Sequence, residues 1–557
     1  MASKHWKELA AEKRARLAAS IPKEWILTNL PSKETLNVID FPEKSGLLSE
    51  KEIEITNTEV MVLLEKLAKG VWSSVDVTTA FAKRAIIAHQ LVNCLTEVFI
   101  ERALKRAAEL DDISKLQERS LVPCMGLEST MGYVSWINQY AAKNSVLADI
   151  LESCGAVFYV KTNVPQTLMW VETFNHIFGR TSNPYNRSHT SGGSSGGEGA
   201  LIALKGSPLG LGSDIGGSIR VPAAFNGIYG LRPSYGRLPY AGCVNSLEGQ
   251  DSLLSVMGPL SNSLGAVKHL IQSVASKRPW LKDPLAVMKP WDEDQYRLVD
   301  HGEGKRLCFA ILWHDEFIVP HPPIVRALEE TKKALLAAGH QVIDWKPLKH
   351  VEIYLTIMGI WGAGAQEDYR VTTSPSGEPI VHTMGLTAEL TADNPDLIVT
   401  DAPVVRPFYD DISAYELFQI QKQRRDLREE YLDYWNSSVA LTDTGRPIDA
   451  IISPCAPSTA PPHGMNKTAG YTMIWNGLNY TALVLPTGLF VDPALDPKKP
   501  PHTFFTDFDK DNYNMYDPEG FKGTPICVQV VGRTQEEEAV IGMGEIVDAA
   551  LKARTSH

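Results

Sequence analysis

The segment Thr190–Ala200, TSGGSSGGEGA, sets five glycines around two adjacent serines, Ser194 and Ser195, and follows them with an acid, Glu198. A stretch with so little side chain is either a flexible linker or a backbone pressed against other structure. The runs that follow, ALIALKG and IRVPAAFNGIYGLRPS, are apolar and ordered in pattern. They point to a packed, loop-rich core. A second serine loop, SDIGGSIRVP at 213–222, places Gly216 and Gly217 directly before Ser218. Glycines there allow tight backbone geometry, and several N–H groups converging near a serine hydroxyl make an oxyanion hole. Asp214 and Arg220 flank the loop with opposite charges and can pin it by a charge-assisted hydrogen bond.

Around these loops the chain reads as α/β. Its first 55 or so residues form a helical arm with a proline-containing extension. TEVMVLLEKLAKG is a helix stopped at Gly70, and Ser73 to Asp76 is a capping pattern opening another. ERALKRAAELDDISKL continues the helical character. GAVFYVKTNVPQ (155–166) is a strand running into a turn. RLCFAIL, QVIDW, DAIISP, TALVLP and PICVQVVG are further strands. PPIVRALEETKKALLAAGH is an amphipathic helix closed at Gly339, and EEEAVIGMGEIVDAALKA is the final helix. The mixture predicts a central mixed β-sheet surrounded by α-helices. The stretch around 365–410 reads as an insertion or surface excursion. No linker divides the chain, so residues 1–557 are expected to be one domain with the arm at about 1–55.

Composition narrows the function classes. A net charge of −12 over 557 residues argues against nucleic acid or an anionic membrane as the main partner. The seven cysteines contain no C-x-x-C pair, which fits buried thiols in a reducing compartment. The N-terminus lacks the apolar core of a secretory signal, and no stretch reaches the length of a membrane span. A cytoplasmic protein is expected. The fourteen histidines include no H-E-x-x-H, and neither G-x-x-x-x-G-K-S/T nor a G-x-G-x-x-G fingerprint around Gly210 occurs, so no metal or organic cofactor is expected. His189, beside the glycine loop, is read as structural.

GGSSGGEGALIALKGSPLGLGSDIGGSIRVPAAFNGIYGLRPS resembles the amidase signature, and the likeness extends through GAVFYVKTNVPQTLM, GRTSNPYN, GRLPYAG, DAIISP and GTPICVQVVGR. The N-terminal WKELAAEKRARLAASIPKEW and VIDFPEKSGLLSE resemble the fungal acetamidase branch. The resemblance implies the amidase-signature fold and a Ser–cis-Ser–Lys amide hydrolase. It assigns the acyl nucleophile to Ser218 and the proton-relaying serine, on a cis peptide, to Ser194. It assigns the oxyanion hole to the backbone of Ile215, Gly216, Gly217 and Ser218, and a substrate contact to Leu168. Trp136, Met169 and the segment YTMIWNGLNY are expected to shape the pocket.

One part of the pattern is missing. A serine hydroxyl needs a base, which in the resembled family is a buried neutral lysine. Here the chain reads KLQERSLVPCMGLESTMGYVSW (115–136), and the lysine-bearing segment between RSLVP and GLESTMGY is absent, cut near Cys124. Arg119 stands roughly at the lysine position but stays protonated and cannot serve. Lys115, Lys143 and Lys161 read as surface or structural lysines. The expectation is therefore a hydrolase of small carboxamides, acetamide-like or short aliphatic and aryl, whose catalytic lysine is not in this chain. Two alternatives stand beside it: a catalytically impaired amidase fold acting as a binding protein, and an α/β-hydrolase-type esterase with Ser195 in a G-x-S-x-G elbow. The partner is a small-molecule amide, with monomer or homodimer left open.

Overall fold

The computed structural model describes residues 5–112, 127–381 and 412–554. Strands β1 (Leu95–Val98) and β2 (Val160–Thr162) pair antiparallel as a separate ribbon. A short hairpin joins β3 (Phe174–Asn175) and β4 (Gly179–Arg180). The main sheet comprises β5 (Leu209–Asp214), β6 (Tyr229–Arg232), β7 (Val256–Ser261), β8 (Cys308–Leu312), β9 (Gln341–Trp345), β10 (Ala450–Ser453), β11 (Ala482–Phe490) and β12 (Pro525–Val531). Its order is β5-β7-β6-β11-β12-β10-β8-β9. β10, β8 and β9 run parallel, and the other neighbours pair antiparallel, so the sheet is mixed as expected.

The two faces follow from strand alternation, since successive residues point to opposite sides. Phe309 and Ile311 of β8 join Ala450 and Ile452 of β10 in a core covered by the helices Leu264–Ser276, Pro322–Ala337 and Glu537–Arg554. Cys308, Ala310, Leu312 and Ile451 point the other way, under the helices His350–Thr373, Ala414–Ser437 and Gly470–Leu478. The shorter helices Gly196–Ala203 and Arg220–Phe225 bury Ile202, Val221 and Phe225 beside Val484 and Cys527. These two helices carry the serine loops.

The N-terminal arm belongs to the core. Leu17, Trp25 and Leu27 pack with the Ser74–Val92 helix, whose Gln90 amide donates to the Trp25 carbonyl (3.0 Å) and accepts from the Leu27 N–H (2.8 Å). That helix begins with the capping box read from the sequence, Ser73 with Asp76. Gly70 takes φ +66° after the Val60–Ala68 helix, as a C-terminal stop requires.

The 365–410 stretch departs from expectation. Residues through Thr373 continue the His350–Thr373 helix, with Ala365 and Tyr369 fully buried. Beyond it, buried Glu378 accepts from the Ser135 N–H (3.0 Å) and the Gln166 side chain (2.9 Å). Ala365, Tyr369, Thr373, Glu378 and Val381 face inward, while Glu367, Arg370 and Val371 are exposed, so this part is core on one side and surface on the other. Residues 382–411 lie outside the described residues, as do Lys115, Arg119 and Cys124. Cys94, Cys308, Cys455 and Cys527 are buried, whereas Cys154 is exposed. No described helix is long and apolar enough to cross a membrane.

Candidate active site

Ser218 sits in the turn between β5 and the Arg220–Phe225 helix, and Ser194 precedes the Gly196–Ala203 helix, with Ser195 as its N-cap residue. The two loops meet: the Ser195 N–H donates to the Ser218 carbonyl across 3.2 Å. The Gly193–Ser194 peptide is cis. Ser194, Ser195 and Ser218 are 1%, 5% and 7% exposed, so all three lie inside the fold. The glycines are there because the loop is pressed on its neighbours. A Cβ on Gly193 would stand 2.6 Å from both the Glu172 nitrogen and the Trp170 oxygen. Thr173 ties the loop down by donating to the Gly192 carbonyl at 2.8 Å and accepting from the Gly196 N–H at 3.1 Å.

Asp214 organises the Ser218 turn. Its carboxylate accepts from the N–H groups of Gly217 (2.9 Å) and Ile219 (3.2 Å), from the Arg220 guanidinium in a fork (3.0 Å twice) and from Asn476 (2.9 Å). Burial alone would push its pKa up, but Arg220 and the hydrogen bonds hold it below the ordinary carboxylate range. Arg220 continues to the Thr472 carbonyl (2.8 Å), and the Thr472 hydroxyl donates to the Gly216 carbonyl (2.7 Å). The pinning that the sequence suggested for Asp214 and Arg220 thus extends into the Gly470–Leu478 helix.

This arrangement refines the donor set at Ser218. Of the four residues expected to form the oxyanion hole, Gly217 spends its N–H on Asp214. Among the described residues, the N–H groups of Ile215, Gly216 and Ser218 meet no acceptor. Gly217 has φ +139°, and a Cβ there would overlap the Thr472 hydroxyl, so only glycine fits.

Apolar side chains surround the turn. Leu168 is buried, and Met169, Val171 and Ile215 pack against the apolar cluster that contains Trp361 and Met473. Trp361 was not visible in the sequence as a site residue, yet its indole lies 2.7 Å from where a Gly216 Cβ would stand. Thr472 and Asn476, inside the segment expected to shape the pocket, instead brace the turn. Trp136 is half-buried and stacks near Tyr133. His189 packs edge-on to Phe521, and burial lowers its pKa to about 4.

Of the lysines weighed as replacement bases, Lys161 is engaged elsewhere and Lys143 faces solvent. Lys161, on β2, donates to the Glu128 carbonyl at 2.8 Å and to the Ser129 hydroxyl. Lys143 is exposed. The residues ahead of Ser195 form a loop, where a nucleophile elbow needs a strand. Among the described residues, no group of three histidines, cysteines or acids could hold a metal.

Comparison with known proteins places this geometry in a class. The Amidase family model matches residues 76–541. The chain belongs to the amidase family, amide hydrolases that act on carbon–nitrogen bonds, and has the amidase-signature fold. It is 41% identical to the acetamidase of Emericella nidulans over 98% of both chains. It is 41% identical to that of Aspergillus oryzae over 99% of this chain and all of the relative. A solved fatty acid amide hydrolase superposes with a TM-score of 0.87 at 31% identity, covering 98% of this chain and 95% of that one.

Proposed function

We propose that the site is built to hydrolyse small carboxamides of the acetamide type through an acyl-Ser218 intermediate, and that this chain does so only weakly because it lacks the lysine base. The observation that carries the reading is the junction of the two serine loops by the Ser195–Ser218 hydrogen bond. Ser218 Oγ attacks the carbonyl carbon, and the N–H groups of Ile215, Gly216 and Ser218 receive the developing oxyanion. Ser194 relays the Ser218 proton to the amide nitrogen. The C–N bond breaks, ammonia leaves, and water then hydrolyses the acyl ester to carboxylate and restores Ser218. The 41% identity to fungal acetamidases over nearly the whole chain supports a short acyl group, and the indole of Trp361 over Gly216 leaves little room for a long one.

A serine hydrolase stripped of one triad member retains about 10³–10⁴-fold catalysis over water from its oxyanion hole and binding. The same reading places the protein in the cytoplasm with a small amide as its ligand and neither nucleic acid nor membrane as partner. The second reading, a binding protein on an amidase fold, draws on the occupied state of Lys161. Ammonia release from acetamide by the 557-residue chain tests both. Slow release that Ser218→Ala abolishes supports the proposal. Rapid Ser218-dependent turnover overturns the missing-base reading, and acetamide binding with no turnover favours the binding protein.

A further inference from the structure

Glu172 is fully buried, and protein donors take the place of water around its carboxylate. Arg180, on β4, donates to Oε2 at 2.9 Å, and the Gly464 N–H donates to the same oxygen at 3.0 Å. The Asn466 N–H donates to Oε1, also at 3.0 Å. The Asn466 side chain returns a bond of 2.8 Å to the Val171 carbonyl. A charge is kept inside a fold only where such partners compensate it. Gly464 lies 292 positions along the chain from Glu172. The carboxylate is therefore a tie between two distant loops, one carrying Leu168 and Met169 and the other leading into the Gly470–Leu478 helix.

What the tie holds is the wall behind Ser194. The main chain of Trp170 and Glu172 lies against Gly193. A Cβ on Gly193 would stand 2.6 Å from the Trp170 oxygen, 2.6 Å from the Glu172 nitrogen and 2.8 Å from the Glu172 oxygen. The next residue, Thr173, holds the Gly192 carbonyl and the Gly196 N–H. The partner loop grips the serine loop from its other end. The Thr190 N–H donates to the Pro461 carbonyl at 2.9 Å, and the His463 N–H donates to the Ser188 carbonyl at 3.3 Å. His463 Nε2 lies 3.0 Å from the Arg187 carbonyl. The segments 170–173, 187–196 and 461–466 thus form a ring of contacts that closes through the Glu172 carboxylate.

We propose that Glu172 is a positioning residue: its carboxylate fixes the main chain of 170–172 against Gly193 and so sets where Ser194 stands relative to Ser218. The inference rests on the reading of Ser194 as the proton relay to Ser218. A relay works only within hydrogen-bond reach of its partner, about 2.6–3.2 Å, and a misplacement of about 1 Å costs up to ~10²-fold in rate. Glutamine at 172 keeps the side-chain volume but exchanges one acceptor oxygen for a donor. If its oxygen serves Arg180 and Gly464, its amide nitrogen faces the Asn466 N–H. If it is flipped, the nitrogen faces Arg180 and the Gly464 N–H. Either orientation breaks the ring while leaving the core filled.

The test compares Glu172→Gln and Asn466→Ala with the parent full chain, well below their melting temperatures. Two readouts are taken on the same samples: hydrogen exchange of the amides in 191–197, and Ser218 labelling by an ethyl-substituted fluorophosphonate, resolved into the probe's KI and its maximal labelling rate. Glu172→Gln should speed exchange in 191–197 and lower the maximal rate per folded molecule, each by about tenfold or more, with KI within about twofold. Asn466→Ala, which removes the bond to the Val171 carbonyl and leaves the carboxylate paired, should act in the same direction by about threefold, and it decides the matter if Glu172→Gln does not fold. An unchanged maximal rate overturns the proposal, because the tie is then structural. A raised KI at unchanged maximal rate also overturns it and moves Glu172 to the support of the Leu168 wall. If Ser218 of the parent takes no label, the hydrolase reading falls, and exchange alone decides the tie: faster exchange in 191–197 upholds it and unchanged exchange overturns it.

Discussion

Asp214 and Arg220 form a fully buried fork, two N–H···O bonds of 3.0 Å, and the same carboxylate holds the N–H of Gly217 beside the nucleophile candidate. The pair therefore does two jobs, stabilising the core and fixing the turn. Removing one partner leaves the other charged and unpaired inside the protein. Asp214→Ala should cost about 3–5 kcal/mol of stability, measured by denaturant unfolding. The paired replacement Asp214→Leu with Arg220→Met should recover much of that stability but not the reactivity of Ser218 toward a fluorophosphonate. Recovery of both would show that the turn does not need the carboxylate.

Gly217 is the position where space and backbone agree most sharply. Gly217→Ala forces a methyl group onto the Thr472 hydroxyl at φ +139°. Ser218 labelling should fall by about 10²–10³-fold, the loss of one oxyanion donor's worth of alignment. Thr472→Gly in the same chain should restore part of it by vacating that space. A labelling rate unaffected by Gly217→Ala would remove the turn from the chemistry.

Lys161 is one of the lysines weighed as a replacement base, and its contacts mark it as structural. Lys161→Met deletes the bonds to the Glu128 carbonyl and the Ser129 hydroxyl. The melting temperature should drop, while the Ser218 labelling rate per folded molecule stays within about twofold, since a general base contributes 10²–10⁴-fold. A labelling loss of that larger size would make Lys161 the base.

Legibility in the sequence followed the physics of each element. β8 (CFAIL), β10 (AIIS) and β12 (PICVQVV) are buried on both faces and read as mainly apolar runs. The Ser73–Asp76 cap and Gly70 stop were legible because each is a local rule. Ser194, Ser218, Asp214 and Arg220 stood out because two glycine loops lie close together in the chain. Trp361, Thr472 and Asn476 reach the site from 140 or more positions away, and nothing local marks them. β1 escaped notice because LTEV is four residues long with no apolar alternation. Glu378 looked like a surface residue because it is polar and follows exposed Ser374 and Gly377, and only its bonds to Ser135 and Gln166 reveal it as buried.

Glu198 gives the fold a pH dependence. Burial outweighs the Thr162 hydrogen bond and pushes the carboxyl from the ordinary 4.5 up to about 7. Between those values the folded chain keeps a proton that the unfolded chain has lost. The stability this group contributes is thus full below about pH 4.5 and falls as pH rises toward 7, by at most about 3 kcal/mol. Glu198→Gln, neutral throughout, should be more stable than the parent at pH 8 and equal to it at pH 4.5 in urea unfolding. A mutant less stable at pH 8 would mean that the carboxylate is compensated by a charge.

Trp361 sets the expected acyl size. Its indole stands 2.7 Å from the Gly216 Cβ position and is itself buried, packed with Met473 and Ile357 from the same apolar cluster. Space beside the oxyanion turn is therefore filled by protein. Trp361→Ala opens that space, and each methylene then accommodated favours the longer chain by about 1–3 kcal/mol at most. Labelling of Ser218 by butyl- and ethyl-substituted fluorophosphonates reads the effect as a ratio, independent of how slow the chain is overall. The ratio should rise at least about tenfold toward the butyl probe, one methylene's discrimination. Trp361→Phe should give a smaller change in the same direction. If the butyl-to-ethyl ratio stays fixed while both rates fall, the indole supports the turn and selects nothing, and the size limit must come from Leu168 and Met169.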